Sequence, residues 1–330
     1  MRVELSLSTL ALGIAVLLGI GCAGLPTLEK NRKPATSDRS FTELPFLKKI
    51  PTVFAPDWMT VGFGSLWAPM GGILVRIDGK TGTVLAEIPI GRGAYRGAVA
   101  SAKSVWTANC VDQTLSEVSP ATNSLIRTIA VPLGSDSEGS FAVSGGRIWV
   151  GTYEDSRDYL SVYDEESGAR LARISLKDPA NGVVALGHSI WVSHAVAGTV
   201  GRYDRDDFRK IAEIPVGSRP RFITAGFSSV WTLNQGEGTI SRIDPERNAL
   251  AASIAAKLAG SGGDLFADEH SVWATLDGVP VVRIDPTTNS VASRYVGGNG
   301  ADAIRASEDR LWVSDRSTNT IWMIDKTQVP

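Results

Sequence analysis

Cysteine and histidine are nearly missing from this 330-residue chain, which has two of the first, Cys22 and Cys110, and three of the second. With Cys22 in a leader that is removed or acylated there is no pair to oxidise, so the fold is not expected to depend on a disulfide, and no Cys/His set has zinc spacing. Charge of one sign is missing too. The 33 basic and 35 acidic side chains are interspersed and give a formal net charge of −2. No basic stripe marks a nucleic-acid partner, and no acidic run forms a solvating tail. There is no Gly-x-Ser-x-Gly elbow and no haem-attachment motif. The glycine-rich runs at 260–263 and 297–300 lead into strands, whereas a phosphate cradle wants a following helix N-terminus. A sustained helical period is absent throughout the repeats.

The one long apolar run lies at the start. Arg2 precedes an apolar stretch from Leu5 to Ile20, the form of a secretory signal. It ends in Leu18-Gly19-Ile20-Gly21-Cys22-Ala23. Small residues before a cysteine resemble a bacterial lipobox, which makes Cys22 the expected lipidation site and residues 1–22 the signal. Ordinary cleavage near Ala23 and retention as an uncleaved anchor are the alternatives. Each of the three places the chain outside the cytoplasm, and the first makes it a membrane-anchored lipoprotein facing the periplasm or cell exterior. Residues 23–42 are polar, proline-bearing and aperiodic, and read as a flexible tether. Cys110 falls at the end of an expected strand and reads as a partly buried small hydrophobe.

What the chain does have is a refrain. Trp67, Trp106, Trp149, Trp191, Trp231, Trp273 and Trp312 are separated by 39, 43, 42, 40, 42 and 39 residues. Each follows Val, Ile or Leu, which follows Ser or Arg. A fixed period near forty is the signature of a repeat architecture, and about 41 residues per unit is one four-stranded propeller blade. The spacing predicts an all-β, seven-bladed propeller of four-stranded antiparallel blades over residues 43–330. Within blade five the expected strands are Arg221 to Ala225, Val230 to Asn234, Gly238 to Asp244 and Leu250 to Ala256, each β-branched and bounded by turn residues.

A second refrain follows the third strand of each unit: Asp244-Pro245-Glu246-Arg247-Asn248 and Asp285-Pro286-Thr287-Thr288-Asn289, with looser copies at Ser119, Asp78 and Asp164. Asp or Ser accepts N–H groups of its own turn, Pro fixes φ, and Asn or Gly tolerates the left-handed position. After Trp312 only a third strand, Thr320 to Asp325, remains, so blade seven lacks a fourth. The segment Phe46-Leu-Lys-Lys-Ile-Pro-Thr-Val53 resembles the fourth-strand text Ala212-Glu-Ile-Pro-Val-Gly217. The N-terminal strand is therefore expected to complete the last blade and cover its edge.

These refrains, Val-Trp followed by Thr-Ile-Ser-Arg-Ile-Asp-Pro-Glu-Arg-Asn and by Ile-Pro-Val-Gly, resemble the YVTN-type repeat propellers and are similar to the streptogramin (virginiamycin B) lyase-like propellers over residues 43–330. The resemblance implies the propeller fold. It does not settle activity, because such folds carry both enzymes and binding proteins. The lyase-like members imply repeats reading Trp-Phe-Thr-Glu and a metal near catalytic His and Glu on one face. Here the third position after each Trp is Met70, Asn109, Thr152, His194, Asn234, Leu276 or Asp315. No repeat supplies the Glu. His188 and His270 fall in first-to-second-strand turns, on the opposite face. A divalent metal is expected only on that lyase or hydrolase alternative, and no cofactor otherwise.

First strands begin, and second strands end, at one rim. The residue ten before each Trp and the residue three after it are therefore expected around one funnel. They include Asp57, Arg96, Asn109, Asn181, His194, Arg221, Asn234, Asp302 and Asp315, with Trp58 and Tyr95 alongside. Arg96 and Arg221 suit a carboxylate or phosphate. On an enzymatic reading, Asp302 or Asp315 with His194 forms an acid–base pair. The expected function is a monomeric, membrane-tethered propeller that binds a protein, peptide or envelope ligand at one face of its channel.

Overall fold

The computed structural model describes residues 37–94, 97–134 and 140–330. The leader, Cys22, Tyr95 and Arg96 lie outside the described residues.

Seven sheets make a seven-bladed propeller, in which blades one to six each use four consecutive strands, blade six carries a fifth on its outer edge, and blade seven takes its outermost strand from the N-terminal segment. Blade five shows the pattern. Pro220–Gly226, Ser229–Asn234, Thr239–Asp244 and Ala249–Ala255 pair as antiparallel neighbours from the channel outward. These bounds lie within a residue of those the sequence predicts. The second strands are the most buried, because they stand between two neighbours within the sheet and a blade on either side. All seven tryptophans sit there at 2% exposure or less, and they fill the wedge between adjacent blades.

The ring closes as expected. Phe46–Pro51 pairs antiparallel with Thr320–Asp325 and supplies the fourth strand of blade seven. The chain is ordered earlier than the tether reading allows. Arg39–Ser40 pairs in parallel with Tyr295 and Val296 on the outer edge of blade six. A capping box between Ser40 and Glu43 then turns the chain, and Phe41 packs on Trp322 at 4.6 Å. Residues 37–42 thus belong to the propeller, because Arg294 pairs with Asp38 at 2.6 Å and the ring of Phe41 finds an aromatic neighbour.

The refrains have a shared mechanical role. Asp244 accepts the N–H groups of Glu246 and Arg247 at 2.8 and 3.2 Å, and Asn248 sits at φ 50°. The Asn248 side chain faces the preceding blade, where Arg202 lies 4.9 Å over the Trp191 ring. Arg202 Nε donates to Ser189 Oγ, and its Nη1 donates to Asn248 Oδ1 at 2.7 Å. Arg76 and Arg242 repeat the arrangement on Asn123 and Asn289. The Ser and Trp of one refrain and the Pro carbonyl and Asn of the other therefore meet on one arginine in an inter-blade latch. Variants keep the principle. Trp149 is covered edge-on by Phe208 at 5.5 Å, and Arg283 donates to the carbonyl of Val329. At the seam between blades seven and one, Lys48 of the closing strand donates to the carbonyls of Thr81 and Gly82.

Each outermost strand also carries a β-bulge at the same point, two residues into the strand or close to it. A repeated bulge bends an exposed edge away from in-register pairing with another chain.

Candidate functional site

The expected rim divides into residues that reach the mouth and residues turned into the blades. Asp57 and Asp302 are brought together from blades one and seven. Both are nearly buried, and one half-exposed guanidinium, Arg316, stands 3.5 and 3.6 Å from their carboxylates. Asp302 also accepts the N–H of Gly263. In blade four, Asn181 and His194 are neighbours, but the buried His194 ring turns over Gly201 of its own third strand rather than into the mouth. Asn181 Oδ1 accepts the N–H of Ala195 at 2.8 Å, and His194 Nδ1 faces the carbonyl of Pro179 at 3.2 Å. A carbonyl only accepts, so the proton of a neutral His194 is on Nδ1. Arg221 lies beside the channel with its guanidinium 5.8 Å from the Phe222 ring.

Asn109 and Asn234 correct the funnel expectation. Both are fully buried, and each spends its amide on its own blade. Asn109 Nδ2 donates to Thr114 and Ser116, and Asn234 Nδ2 to Thr239 and Ser241. Their position along the strand is right, but the pleat turns them toward the third strand. Asp315 is likewise occupied, accepting from the N–H groups of Ser317 and Thr318 and from both hydroxyls. The acid–base pairing of His194 with Asp302 or Asp315 is not formed. His194 belongs to blade four and the two aspartates to blade seven, each with local partners. His188 and His270 sit in first-to-second-strand turns. Among the described residues, no group of three or more His, Cys, Asp and Glu gathers as metal ligands would.

Burial holds the His194 imidazole below its ordinary pKa of 6.5, against a smaller opposing pull from the Pro179 carbonyl. A depressed histidine binds fewer protons folded than unfolded, so stability falls as pH drops below about 6.5 toward the folded value. His194→Gln is expected to flatten the dependence of Tm on pH in that window. An unchanged profile in a calorimetric pH series would show that His194 is not the group responsible.

The innermost strands line a cavity of about 250 Å³ in the channel, its waist. One wall is aromatic and charged. Trp58 stacks on Phe222 at 6.4 Å, and its Nε1 donates to the carbonyl of Ala98. The Arg305 guanidinium lies 4.6 Å from the Trp58 ring and 5.4 Å from Phe266. Arg305 is paired with Asp264, both almost wholly buried. Burial pushes the Asp264 carboxyl up, and Arg305 opposes that shift. The other wall is aliphatic, with Val99, Val184 and Ile223 among its residues.

Sequence reasoning missed Asp264, Phe266 and Arg305. The signal was there. Nine residues before each Trp stand Trp58, Gly97, Ser140, Gly182, Phe222, Asp264 and Ala303, and seven before stand Thr60, Val99, Ala142, Val184, Thr224, Phe266 and Arg305. Small residues occupy most of these places, and the exceptions gather at the waist.

No family model and no curated protein matches the sequence, so the YVTN-type and lyase-like resemblance rests on the refrains alone. Solved structures with a similar fold include BamB from Moraxella catarrhalis, at 14% identity over 81% of this chain and 86% of that one, TM-score 0.57. The WD40 domain of Pan2 from Neurospora crassa is similar at 11% identity over 83% and 90%, TM-score 0.65. The computationally designed Ika8 protein is similar at 12% identity over 85% and 100%, TM-score 0.62. At these identities the likeness is one of fold: the chain is a seven-bladed β-propeller.

Proposed function

We propose that this is an extracytoplasmic, membrane-tethered propeller that binds a protein or peptide on the face bearing the channel mouth. The leader-like residues 1–22, with Cys22 as the lipid attachment point, support the location. One observation supports the binding face. Its loops carry Val53, Phe54, Val111, Tyr153 and Val196 as large exposed apolar side chains, with Val196 at 81% exposure. They span the loops of blades one to four. Among the described residues, the other exposed large apolar side chains are Phe63 in a first-to-second-strand turn and Leu47, Val84, Leu85, Leu125, Ile126, Leu171 and Leu250, spread one or two per blade at the starts of the outermost strands. Those of the mouth face instead project from its loops and the strand end at Tyr153. Clustered exposed apolar groups rimmed by polar ones mark interaction surfaces. Here the polar part is Asp57, Asp302 and Arg316 at the mouth, with Asn181 and Arg221 near it.

A photocrosslinking amino acid placed at Val196 in cells is expected to capture a discrete protein adduct, while the same group at Glu246, on the opposite face, captures none. Tyr153→Ser combined with Phe54→Ser is expected to abolish the adduct, since aromatic anchors dominate such interfaces. Equal labelling from both faces would sink the proposal.

A further inference from the structure

Among the described residues, the channel waist carries the chain's most pronounced departure from its own repeat. Blades two, three and four have only Gly, Ala, Ser or Val at the two positions concerned, so the fold does not require Trp58, Phe222, Asp264, Phe266 or Arg305 there. A buried ion pair is no better for stability than well-packed apolar residues of similar volume. Local departures of this kind concentrate at functional sites.

Arg305 shows what the site is built to meet. It is 6% exposed and lines the cavity. Its plane is held by Trp58 and Phe266. Among the described residues only Nη1 is engaged, by Asp264 and the carbonyl of Ile304. A guanidinium has five donors in a rigid fork that matches a carboxylate, so the Nη2 edge remains to be matched from the cavity. Opposite it stand aliphatic side chains and no cation. The space corresponds to about eight water volumes, enough for a small molecule and too small for a folded segment.

We propose that the channel waist binds a small amphiphilic carboxylate, its acidic head on the free edge of Arg305 and its apolar body against Val99, Val184 and Ile223. This goes beyond the partner surface at the mouth and does not depend on it. The ligand charge shares Arg305 with Asp264, and the aromatic walls of Trp58 and Phe222 exclude water from the head group.

The test uses the full-length protein with octanoate as probe, and with octanol and octylamine as head-group controls. Binding is read by the rise in Tm with ligand concentration and by quenching of tryptophan fluorescence. Octanoate is expected to raise Tm in a saturable way at millimolar concentration, and the two controls are not. Arg305→Met strands Asp264 and endangers folding, so the decisive variant is Asp264→Leu with Arg305→Met, which replaces the whole pair by apolar groups. It is expected to fold and to bind octanoate at least about ten-fold more weakly, with Arg305→Lys in between. Stabilisation by octanol equal to that by octanoate, undiminished binding in the double variant, or no octanoate effect at all would each overturn the proposal. None of these outcomes bears on crosslinking at Val196.

Discussion

Deleting Phe46–Pro51 is expected to abolish the cooperative unfolding transition, whereas a chain beginning at Ser37 keeps its full Tm. The six residues do three things at once. They pair with Thr320–Asp325, which otherwise becomes an open edge carrying Ile321, Trp322, Met323 and Ile324, all 3% exposed or less. They insert Ile50 into the core shared with Met59, Leu66 and Trp312. They also bring Lys48 to the turn of blade one. Losing a whole strand removes backbone ladder, buried area and latch together, at the only seam where blades distant in sequence must meet. A ring needs every seam, so the damage spreads beyond one blade. Differential scanning calorimetry with near-ultraviolet circular dichroism distinguishes the outcomes. A single sharp transition within a few degrees of the parent would show that blade seven closes without this strand.

Trp231→Ala is expected to cost about 3–5 kcal/mol, the usual range for removing a buried aromatic from a core. The ring is fully buried, its Nε1 donates to the carbonyl of Gly226, and Arg242 lies 4.8 Å above it. Arg242→Ala is expected to cost about 2–3 kcal/mol, because it forfeits charge-assisted bonds to Pro286 O and Asn289 and a desolvated cation–π contact. The double variant is expected to lose less than the sum, since each residue positions the other. Urea unfolding of the four proteins gives the coupling directly. Strict additivity would mean that the stack over Trp231 contributes nothing and that the two residues act on separate parts of the seam.

The seven tryptophans served as a ruler for strand order, blade bounds and ring closure because each marks the same point of the same local pattern. The latch was not readable in that way. Arg242 and Asn289 are 47 residues apart and meet only because one blade packs on the next. Strand position also leaves orientation open. Asn109, Asn181 and Asn234 all lie near the rim, yet two spend their amides on the third strand of their blade and one caps the loop at Ala195. The waist escaped for a different reason. Matching repeats rewards agreement, and Asp264, Phe266 and Arg305 are where the repeats disagree.

The short parallel strand at Arg39–Ser40 sets where force enters this molecule. Any pull on the chain before Ser37 meets the ladder to Tyr295 and Val296 and the Asp38–Arg294 pair first. It then passes through the packing of Phe41 on Trp322 to the strand that closes the ring. The strap therefore acts as a fuse in series with the closure. It yields two backbone positions before any load reaches blade seven, and a small excursion of the N-terminal segment leaves the ring intact.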